Sequence, residues 1–567
     1  MKTANRTPKY TMRRYTVLVI FTMAVLGLVY RALDMQVLNQ AFFQKQGDAR
    51  HLRVVEVPAH RGDIVDRNGE PLAISTPVDT VWANPSELIV DKTRLPALAT
   101  LLSMDAARLS QRLQHNAHRE FMYIRRHVSP SLGEKVMALG LSGVYLRRDY
   151  KRYYPTGEVS AHLLGFTNVD DMGQEGLELA YNDYLTGVSG SKRIIRDRLG
   201  RAVDDIERLK PAEPGRLVQL SLDRRLQYMA YRALKAAVKE HHAIAGSAVL
   251  LDAHNGEVLA MVNQPSFNPN DRSQLKPGVY RNRAVVDVFE PGSTMKPFTM
   301  AAALETGRWH PQDNVHTEPG YYQVQGHEIK DMHNYGKLSL GGIIVKSSNV
   351  GISKVALSME PEQQLGMYNK LGFGTDTGSG FPGERGGNMR LGHVSEFERA
   401  TMAFGYSMSV TNLQLARAYG ALAADGVLHP VTYLKRDEKS IGVRVMAAKT
   451  ARQVRKMMEQ VVSRKGTAVK AKIANYRIAG KTGTVHKFIA GGYAHDRYLA
   501  IFAGIAPATH PRLVMVVMLD EPRRGGHFGG QVAAPVFAKV MSSALRLMNI
   551  PPDNLQLANQ SNKGRGA

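Results

Sequence analysis

The chain has 567 residues, enough for two or more domains with large cores. Hydrophobic residues make up 44% of it and charged residues 22%, values that are typical of globular proteins and exclude wholesale disorder. Because there is no cysteine, disulfides, thiolate metal sites and cysteine catalysis are also excluded. The formal net charge of +24 suggests nucleic acid or an anionic surface as a partner. The basic residues are scattered, however, and no nucleic-acid-binding motif occurs. We therefore expect these charges to lie on solvated surfaces, and we expect no nucleic acid as a partner.

The N-terminal segment predicts a membrane anchor. Basic residues precede any acidic residue, and the uncharged stretch 15–30 follows them. This stretch is shorter than the roughly 20 residues that usually span a bilayer. Arg31 can reach the interface with its side chain, so the expected span is 15–33. A cleavable signal peptide begins in the same way, but no convincing cleavage site follows. The basic tail, 1–14, should stay in the cytoplasm, which places the rest of the chain outside.

Residues 34–215 predict a basic domain of mixed secondary structure without catalytic residues. A segment at 61–69 carries two turn signals, the second of them Asn68-Gly69. Further turn-rich segments lie at 152–155, 161–165 and 173–178. Turns and ion pairs in a non-catalytic domain are the simplest interpretation of all of them.

Residues 216–550 predict a second domain of the α+β class. Apolar residues at helical spacing indicate a helix from Arg224 to about Glu240. An Asn-Gly turn at Asn255-Gly256 then joins two strands, the strongest short signal for a hairpin. The other expected elements are the strands at 248–252, 257–262, 499–506 and 513–519, and a helix-rich stretch that ends near 424. Strands at both ends with helices between them predict an antiparallel sheet covered by helices. The tail, 551–567, is expected to be disordered.

Three short motifs in the second domain supply the groups for acyl transfer through a serine ester. Ser293 and Lys296 form an S-x-x-K motif, Ser347 and Asn349 form an S-x-N motif, and Lys481, Thr482 and Gly483 form a K-T-G motif. Each is weak alone, since a chain of this length holds about one or two S-x-x-K matches by chance. Two others do occur, beginning at Ser189 and Ser273. Only the occurrence of all three motifs in this order favours a catalytic role over a chance match.

The surroundings of Ser293 indicate the start of a helix. It follows the turn-forming pair Pro291-Gly292 and precedes an apolar stretch that predicts a helix. Pro297 is tolerated only near a helix start, so Ser293 lies at or beside the N-terminus. Taken singly, such a serine is best interpreted as a helix N-cap. The other two motifs favour a nucleophile instead.

The spacing assigns a role to each residue. Residues three apart share a helix face, so Lys296 can reach the hydroxyl of Ser293. A lysine acts as a base only if its pKa is lowered by burial or by a second cation, which Lys481 would be if its strand lay beside the helix. Ser347 would then relay a proton to the leaving amine, and Asn349 would complete a polar wall. Taken singly, S-x-N is more often a polar loop, and K-T-G an exposed strand end.

The order of the three motifs resembles that of penicillin-binding proteins and serine β-lactamases. A second resemblance lies in the first domain, where R-G-x-I-x-D-R-N-G-x-x-L-A at 61–73 is similar to a box in the pedestal of class B penicillin-binding proteins. Nothing resembles the glycosyltransferase module of class A enzymes. The segments 289–293 and 346–351 are similar to the division-specific septal transpeptidases of Gram-negative bacteria (penicillin-binding protein 3). That group often has Ser where Thr482 stands.

The resemblance implies a peptidoglycan D,D-transpeptidase that cross-links stem peptides ending in D-Ala-D-Ala, works at the septum and is acylated by β-lactam antibiotics. It implies that the backbone N–H groups of Ser293 and Thr484 hold the oxyanion. Lys481, Thr482 and Thr484 would hold the terminal carboxylate, and no metal or organic cofactor would be needed. It further implies a catalytic domain in the periplasm, anchored in the inner membrane. The anchor and pedestal would dock onto a membrane glycan polymerase and other divisome proteins.

Three alternatives remain open. A β-lactamase uses the same trio but needs neither pedestal nor anchor. A penicillin-sensing receptor places several membrane spans before its sensor domain, whereas one is expected here. A non-essential paralogue with the same chemistry cannot be distinguished from the septal enzyme by these motifs.

Overall fold

The computed structural model describes residues 11–42, 52–89, 93–196, 202–273, 276, 278–438, 440–490 and 492–554. The start of the basic tail, 1–10, and the part of the C-terminal tail at 555–567 lie outside the described residues. Contacts divide the chain into two compact units. The first consists of Met1–Ala59, Pro77–Tyr150 and Val188–Glu213, and the second of His60–Thr76, Lys151–Gly187 and Pro214–Ala567.

The first unit begins with a long apolar helix, Thr11–Leu33, which continues as a π-helical turn, Asp34–Leu38. At about 1.5 Å per residue its 23 residues extend about 34 Å, compared with a hydrocarbon core of about 30 Å. Its apolar side chains are exposed along the whole length. Within the described residues, this is the helix that is long and apolar enough to cross a membrane. It starts four residues before the expected span at 15.

The remainder of the first unit is mixed in secondary structure. Three antiparallel strands form one sheet, in the order Leu52–Val57, Gly190–Arg196 and Ala202–Lys210. The end of the strand Pro71–Ala83 pairs with Met122–Val128, and Val144–Tyr153 is a further strand. The helices are Pro85–Leu88, Leu95–Leu101, Ala106–His115 and Pro130–Ala138. Leu88, Leu98, Leu109 and Leu113 pack together in a small core of their own.

The second unit is built on a five-stranded antiparallel sheet. In spatial order its strands are Val258–Gln264, Ala245–Asp252, Leu513–Asp520, Gly492–Ala506 and Ala479–Ile489. Gly256, with φ of +75°, forms the turn between the first two strands in the chain, a backbone conformation that favours glycine. The predicted hairpin and the predicted pair of C-terminal strands are thus confirmed, although the strand Gly492–Ala506 begins seven residues before the predicted start at 499.

Helices cover this sheet. The longer ones are Arg224–Glu240, Lys296–Glu305, Asn349–Leu357, Pro361–Lys370, Asn412–Ala423, Ala448–Glu459 and Ala534–Leu547. The shorter ones are Ala161–Leu164, Gly176–Ala180, Asn182–Leu185, Arg283–Val286, Leu340–Lys346, Glu396–Met402 and Gly529–Val532. Single 3-10 turns occur at Gly157–Val159, Gly292–Met295, Gln460–Val462 and Val469–Ala471. The Arg224–Glu240 helix has the predicted bounds, and its Asp223 cap accepts from two backbone N–H groups.

Several short strands were not predicted. They form the pairs Asn314–His316 with Lys337–Ser339, Tyr321–Val324 with His327–Lys330, Val427–Leu428 with Val443–Arg444, and Ile64–Val65 with Val218–Gln219. Most are two to four residues long, too short for a period-2 pattern to show in the sequence. The stretch predicted to be rich in helices therefore also contains hairpins.

The turn-rich boxes of 61–73 and 152–178 meet in the second unit, around one buried carboxylate. Glu178 is fully buried, and its two oxygens accept from Arg61 at 2.8 Å and from Arg152 at 2.6 Å. Arg61 also donates to Asn182 and to Thr186. Removal of one partner of a buried ion pair lowers the free energy of unfolding by several kcal/mol, because the other charge stays buried and uncompensated. These residues therefore serve the packing of the second unit, and Arg61 in particular is structural.

Candidate active site

The turn before a buried helix presents Ser293. The 3-10 turn Gly292–Met295 leads directly into the α-helix Lys296–Glu305, with Pro297 in its first turn as predicted. Gly292 has φ of +56°, and a Cβ there would lie 2.3 Å from a methyl group of Val485. Only glycine fits such a position without rearrangement. Tyr419 donates to the carbonyl of Thr294 at 2.9 Å, which fixes the turn from the other side.

A second turn brings Ser347 and Asn349 to the same place. Ser347 ends the helix Leu340–Lys346 in a left-handed conformation with φ of +59°, unusual for a residue with a Cβ. Ser348 then caps the next helix, accepting from the N–H of Gly351 at 2.8 Å. The interpretation of this motif as a polar loop is wrong, because Ser348 is a buried helix cap and the side chains on either side of it face the lysine of the first motif.

Lys296 joins these two turns. Its Nζ lies 3.0 Å from Ser293 Oγ, 2.5 Å from the carbonyl oxygen of Ser347, 3.1 Å from Ser347 Oγ and 2.7 Å from Asn349 Oδ1. Its side chain has no exposed surface. The structure thus brings together all four predicted residues of the first two motifs.

The strand Ala479–Ile489 lies at the edge of the sheet beside the serine turn and carries the third motif. Lys481 is fully buried, and its Nζ donates to Ser347 Oγ at 2.9 Å and to the carbonyl of Thr482 at 3.0 Å. A Cβ on Gly483 would lie 3.1 Å from the carbonyl oxygen of Pro291, so the absence of a side chain permits the close approach of strand and turn. The K-T-G segment is therefore not an exposed strand end.

The two threonines of this strand have defined partners. The hydroxyls of Thr482 and Thr467 lie 2.8 Å apart. Thr484 Oγ1 accepts from the backbone N–H of Gly529 at 3.1 Å. These contacts fix both side chains beside the buried lysine.

Burial determines the ionisation of both lysines. Removal from water lowers the pKa of Lys296 well below its usual value, and the neighbouring Lys481 cation lowers it further, while Asp331 acts in the opposite direction. Burial alone lowers the pKa of Lys481 to about 7. The sequence predicted both causes for Lys296, desolvation and a second cation. A lysine in this setting can be neutral near pH 7.

The competing S-x-x-K matches lack this geometry. Lys192 lies in the strand Gly190–Arg196, where residues three apart face opposite sides, so Ser189 cannot share a face with it. Ser273 is exposed, and its hydroxyl donates to Asp271 at 2.7 Å. Part of that second match, at 274–275, lies outside the described residues.

Asp331 is the residue of the site that the sequence did not reveal. Its Oδ1 accepts from the N–H groups of Asn349 at 2.5 Å and Val350 at 3.0 Å, and its Oδ2 accepts from Ser348 Oγ at 2.5 Å. This carboxylate holds the turn that places Ser347 against the lysines. It follows the unpredicted hairpin that ends at Lys330, and no local pattern links it to a motif that is distant in sequence.

Together, the fold and the meeting of the three motifs at one place are typical of serine acyltransferases. Two family models match the chain, the penicillin binding protein transpeptidase domain over residues 246–542 and the penicillin-binding protein dimerisation domain over residues 56–220.

The chain is also similar to named proteins over nearly its whole length. It is 42% identical to the probable peptidoglycan D,D-transpeptidase PbpC of Pseudomonas aeruginosa, over 95% of this chain and 96% of that protein. It is likewise 42% identical to the peptidoglycan D,D-transpeptidase FtsI of Escherichia coli K12, over 96% of this chain and 94% of that protein. Among solved structures, penicillin-binding protein 3 of Mycobacterium tuberculosis in complex with aztreonam superposes with a TM-score of 0.69, at 29% identity, covering 88% of this chain and 98% of that one. This chain belongs to the penicillin-binding protein transpeptidase family.

Proposed function

We propose that this protein cross-links peptidoglycan stem peptides ending in D-Ala-D-Ala through an acyl-enzyme on Ser293, and that β-lactams acylate the same serine. The observation that carries this proposal is the buried amine of Lys296, 3.0 Å from Ser293 Oγ and with a strongly lowered pKa. Its relatives include proteins named as peptidoglycan D,D-transpeptidases, and one similar solved structure holds the β-lactam aztreonam.

Lys296 is the base in this proposal. A neutral amine has two N–H donors and one lone pair. The carbonyl of Ser347 at 2.5 Å and Asn349 Oδ1 at 2.7 Å can only accept, so they take the two N–H groups. The lone pair is then left for a hydroxyl donor, and Ser293 supplies one at 3.0 Å. The proton moves from Ser293 Oγ to Lys296 as the oxygen attacks the penultimate D-Ala carbonyl.

Ser347 carries the proton onward. Its Oγ lies 3.1 Å from the amine of Lys296 and 2.9 Å from that of Lys481, so it touches both nitrogens. A hydroxyl both donates and accepts, and can therefore take a proton from one neighbour while giving its own to the leaving D-Ala amine. The ester on Ser293 forms as the peptide bond breaks, and terminal D-Ala leaves as the neutral amine. An amine of a second stem then attacks the ester and restores the hydroxyl.

The strand of the third motif binds the substrate. Thr482 and Thr484 face the terminal carboxylate with their hydroxyls, and Lys481 contributes its charge from behind them. The backbone N–H groups of Ser293 and Thr484 hold the oxyanion. Loss of a single donor of this kind reduces the rate by about 10²–10³-fold in other enzymes. Gly483 supports this assignment, because it allows strand and serine turn to approach closely enough to enclose one oxygen.

We further propose that the protein acts in septal wall synthesis from the periplasmic side of the inner membrane. The helix Thr11–Leu33 is the anchor, preceded by a basic segment on the cytoplasmic side. In this proposal the domains are the tail 1–14, the span 15–33, the pedestal 34–215, the transpeptidase domain 216–550 and the tail 551–567. The anchor and pedestal dock onto a membrane glycan polymerase, which keeps acceptor stems at high local concentration.

The reaction is tested with the full-length chain in detergent. Lipid-linked pentapeptide strands are polymerised by a glycan polymerase in the same reaction and then digested, and the muropeptides are separated by mass. We expect dimers joined by a new amide bond, with free D-Ala released, and neither from Ser293→Ala. Tetrapeptide monomers and free D-Ala alone, with no dimers, would contradict the transpeptidase assignment and favour a hydrolase.

Docking is tested on the first unit, where Val54 is 62% exposed in the three-stranded sheet. Val54→Asp should lower stimulation by the polymerase and recruitment to the septum while penicillin acylation persists. Ile441→Asp, at a 91% exposed position of the second unit, is the matched control. Arg61 is unsuitable because its removal would disturb the core. Equal recruitment of both variants would make the pedestal a passive spacer.

A further inference from the structure

A cleft opens next to the proposed site. It has a volume of about 1010 Å³, at the upper end of the roughly 300–1,000 Å³ of typical ligand pockets, so it has room for a peptide segment. Glu290, three residues before Ser293, lines it. Val485 and Phe488, which follow Thr484 on the same strand, also line it. The cleft is therefore lined by residues that lie beside Ser293 and beside the K-T-G motif in the sequence.

Most charged groups of the cleft already neutralise one another. Arg281 and Arg283 both lie 2.9 Å from the carboxylate of Asp287. Lys487 lies 2.9 Å from a carboxylate oxygen of Asp520, and a further acidic residue is 3.0 Å from it. These pairs leave little free charge for a ligand.

Glu290 is different because half of its carboxylate is unused. Oε1 accepts from the N–H of Ser407 at 3.0 Å and from the hydroxyl of Tyr493 at 2.8 Å. Oε2 is buried and has no hydrogen-bond partner among the described residues. A buried, unpartnered carboxylate oxygen is costly unless something else pairs with it. Burial raises the pKa of Glu290, as expected for a carboxylate without a cation beside it.

Arg385 is the complementary group. It lines the cleft, is exposed, and donates no side-chain hydrogen bond within the part of the chain that the structure describes. One anion and one cation are thus available in the same cleft. A ligand that satisfies both carries an ammonium and a carboxylate group.

We propose that this cleft is the acceptor subsite, where Glu290 binds the amino group of the incoming stem and Arg385 binds the carboxylate beside it. The inference rests on the proposed function, since it supplies the amine that resolves the ester on Ser293. In that step the bound ammonium first gives one proton to water, the neutral amine nitrogen then bonds to the acyl carbon, the ester C–O bond breaks, and a second proton passes from the nitrogen to Ser293 Oγ. Glu290 and Arg385 position the acceptor and take no part in bond making.

The test measures how the acyl-enzyme partitions between amine and water. The full-length chain in detergent is given a thioester donor ending in D-alanyl-thioglycolate, with D-alanine or D-alaninamide as acceptor. The ratio of aminolysis to hydrolysis is independent of the acylation rate, because both products arise from one intermediate. For the wild type, the ratio should rise and saturate with D-alanine and be lower with the amide, which lacks the carboxylate.

Two variants separate the two contacts. Glu290→Gln keeps an oxygen for Ser407 and Tyr493 but removes the charge, and should lower the ratio by about 10–100-fold with both acceptors, the range for loss of a charge-assisted hydrogen bond. Arg385→Gln, at an exposed position, should lower it for D-alanine only and abolish the preference over the amide. Glu362→Gln, the same change at an exposed helix position, should alter neither ratio.

Each outcome has one meaning. Unchanged ratios in Glu290→Gln and Arg385→Gln, in proteins that still consume the donor, would overturn the subsite. Wild-type protein that hydrolyses the donor but never aminolyses it would overturn it as well. Failure of the proposed function looks different, because a protein without acylation at Ser293 would form neither product.

Discussion

Replacement of Lys481 by methionine tests the electrostatic account of the base. Both lysine nitrogens contact Ser347 Oγ, at 3.1 and 2.9 Å, so they are at most about 6 Å apart. At that distance and an effective dielectric constant of about 20, two charges repel by about 3 kcal/mol. This repulsion makes protonation of Lys296 about 100-fold less favourable while Lys481 is charged. Both side chains are fully buried, so solvent screens little of it.

The assay is the second-order rate of acylation by a fluorescent penicillin, followed by stopped flow from pH 5 to pH 9. If Lys296 is the base, acylation needs its neutral form, so the rate of the wild type should rise with pH on its acid side. Loss of the Lys481 cation raises the pKa of Lys296, because that cation lowers it in the wild type. In Lys481→Met the acid side of the profile should therefore move to higher pH, whatever happens to the maximal rate.

Lys370→Met, at an exposed helix end, is the control and should leave the profile in place. A slower Lys481→Met enzyme with the acid side unmoved would refute the reasoning, because Lys481 would then act only on the substrate and not on the base.

Three further outcomes follow. Lys296→Arg should keep the charge and lose acylation by at least about 10²–10⁴-fold, the usual contribution of a general base, because guanidinium cannot be deprotonated here; near-normal acylation would show that another group takes the proton. Asp331→Asn should slow acylation and shift the acid side of its pH profile to lower pH, opposite to Lys481→Met, because Asp331 raises the pKa of Lys296; a shift to higher pH would contradict this. The buried Lys481 has a folded-state pKa of about 7, below its ordinary value, so the unfolded chain takes up this proton at a higher pH than the folded chain does. The free energy of unfolding of the wild type therefore decreases as pH falls toward 7. The thermal midpoint of Lys481→Met should thus exceed that of the wild type at pH 7, with the gap narrowing toward pH 10.

The sequence predicts those parts of the site that depend on local rules. Pro297 and the glycine before Ser293 mark a helix start, and three-residue spacing places Lys296 within reach of Ser293. The Asn255-Gly256 turn likewise predicts its hairpin. Each of these inferences needs only neighbours in the chain, and the structure confirms them.

What the sequence leaves out depends on long-range contacts. Asp331 holds the turn of Ser347 from a distant loop, and Glu290 faces a cleft whose walls come from several segments. The boxes around Arg61 predict turns and ion pairs, but the sequence does not show that Glu178 joins them within the second unit. A charged residue in a turn has the same local pattern whether it is buried or solvated, so only packing distinguishes the two.

The most direct test of the central claim is the position of the covalent bond. The full-length chain is incubated with a labelled penicillin, and its mass is measured intact and after proteolysis. We predict one adduct per chain, on the peptide that contains Ser293, and none in Ser293→Ala. An adduct that persists in that variant, or that maps to Ser189 or Ser273, would contradict the assignment of the nucleophile and the mechanism built on it.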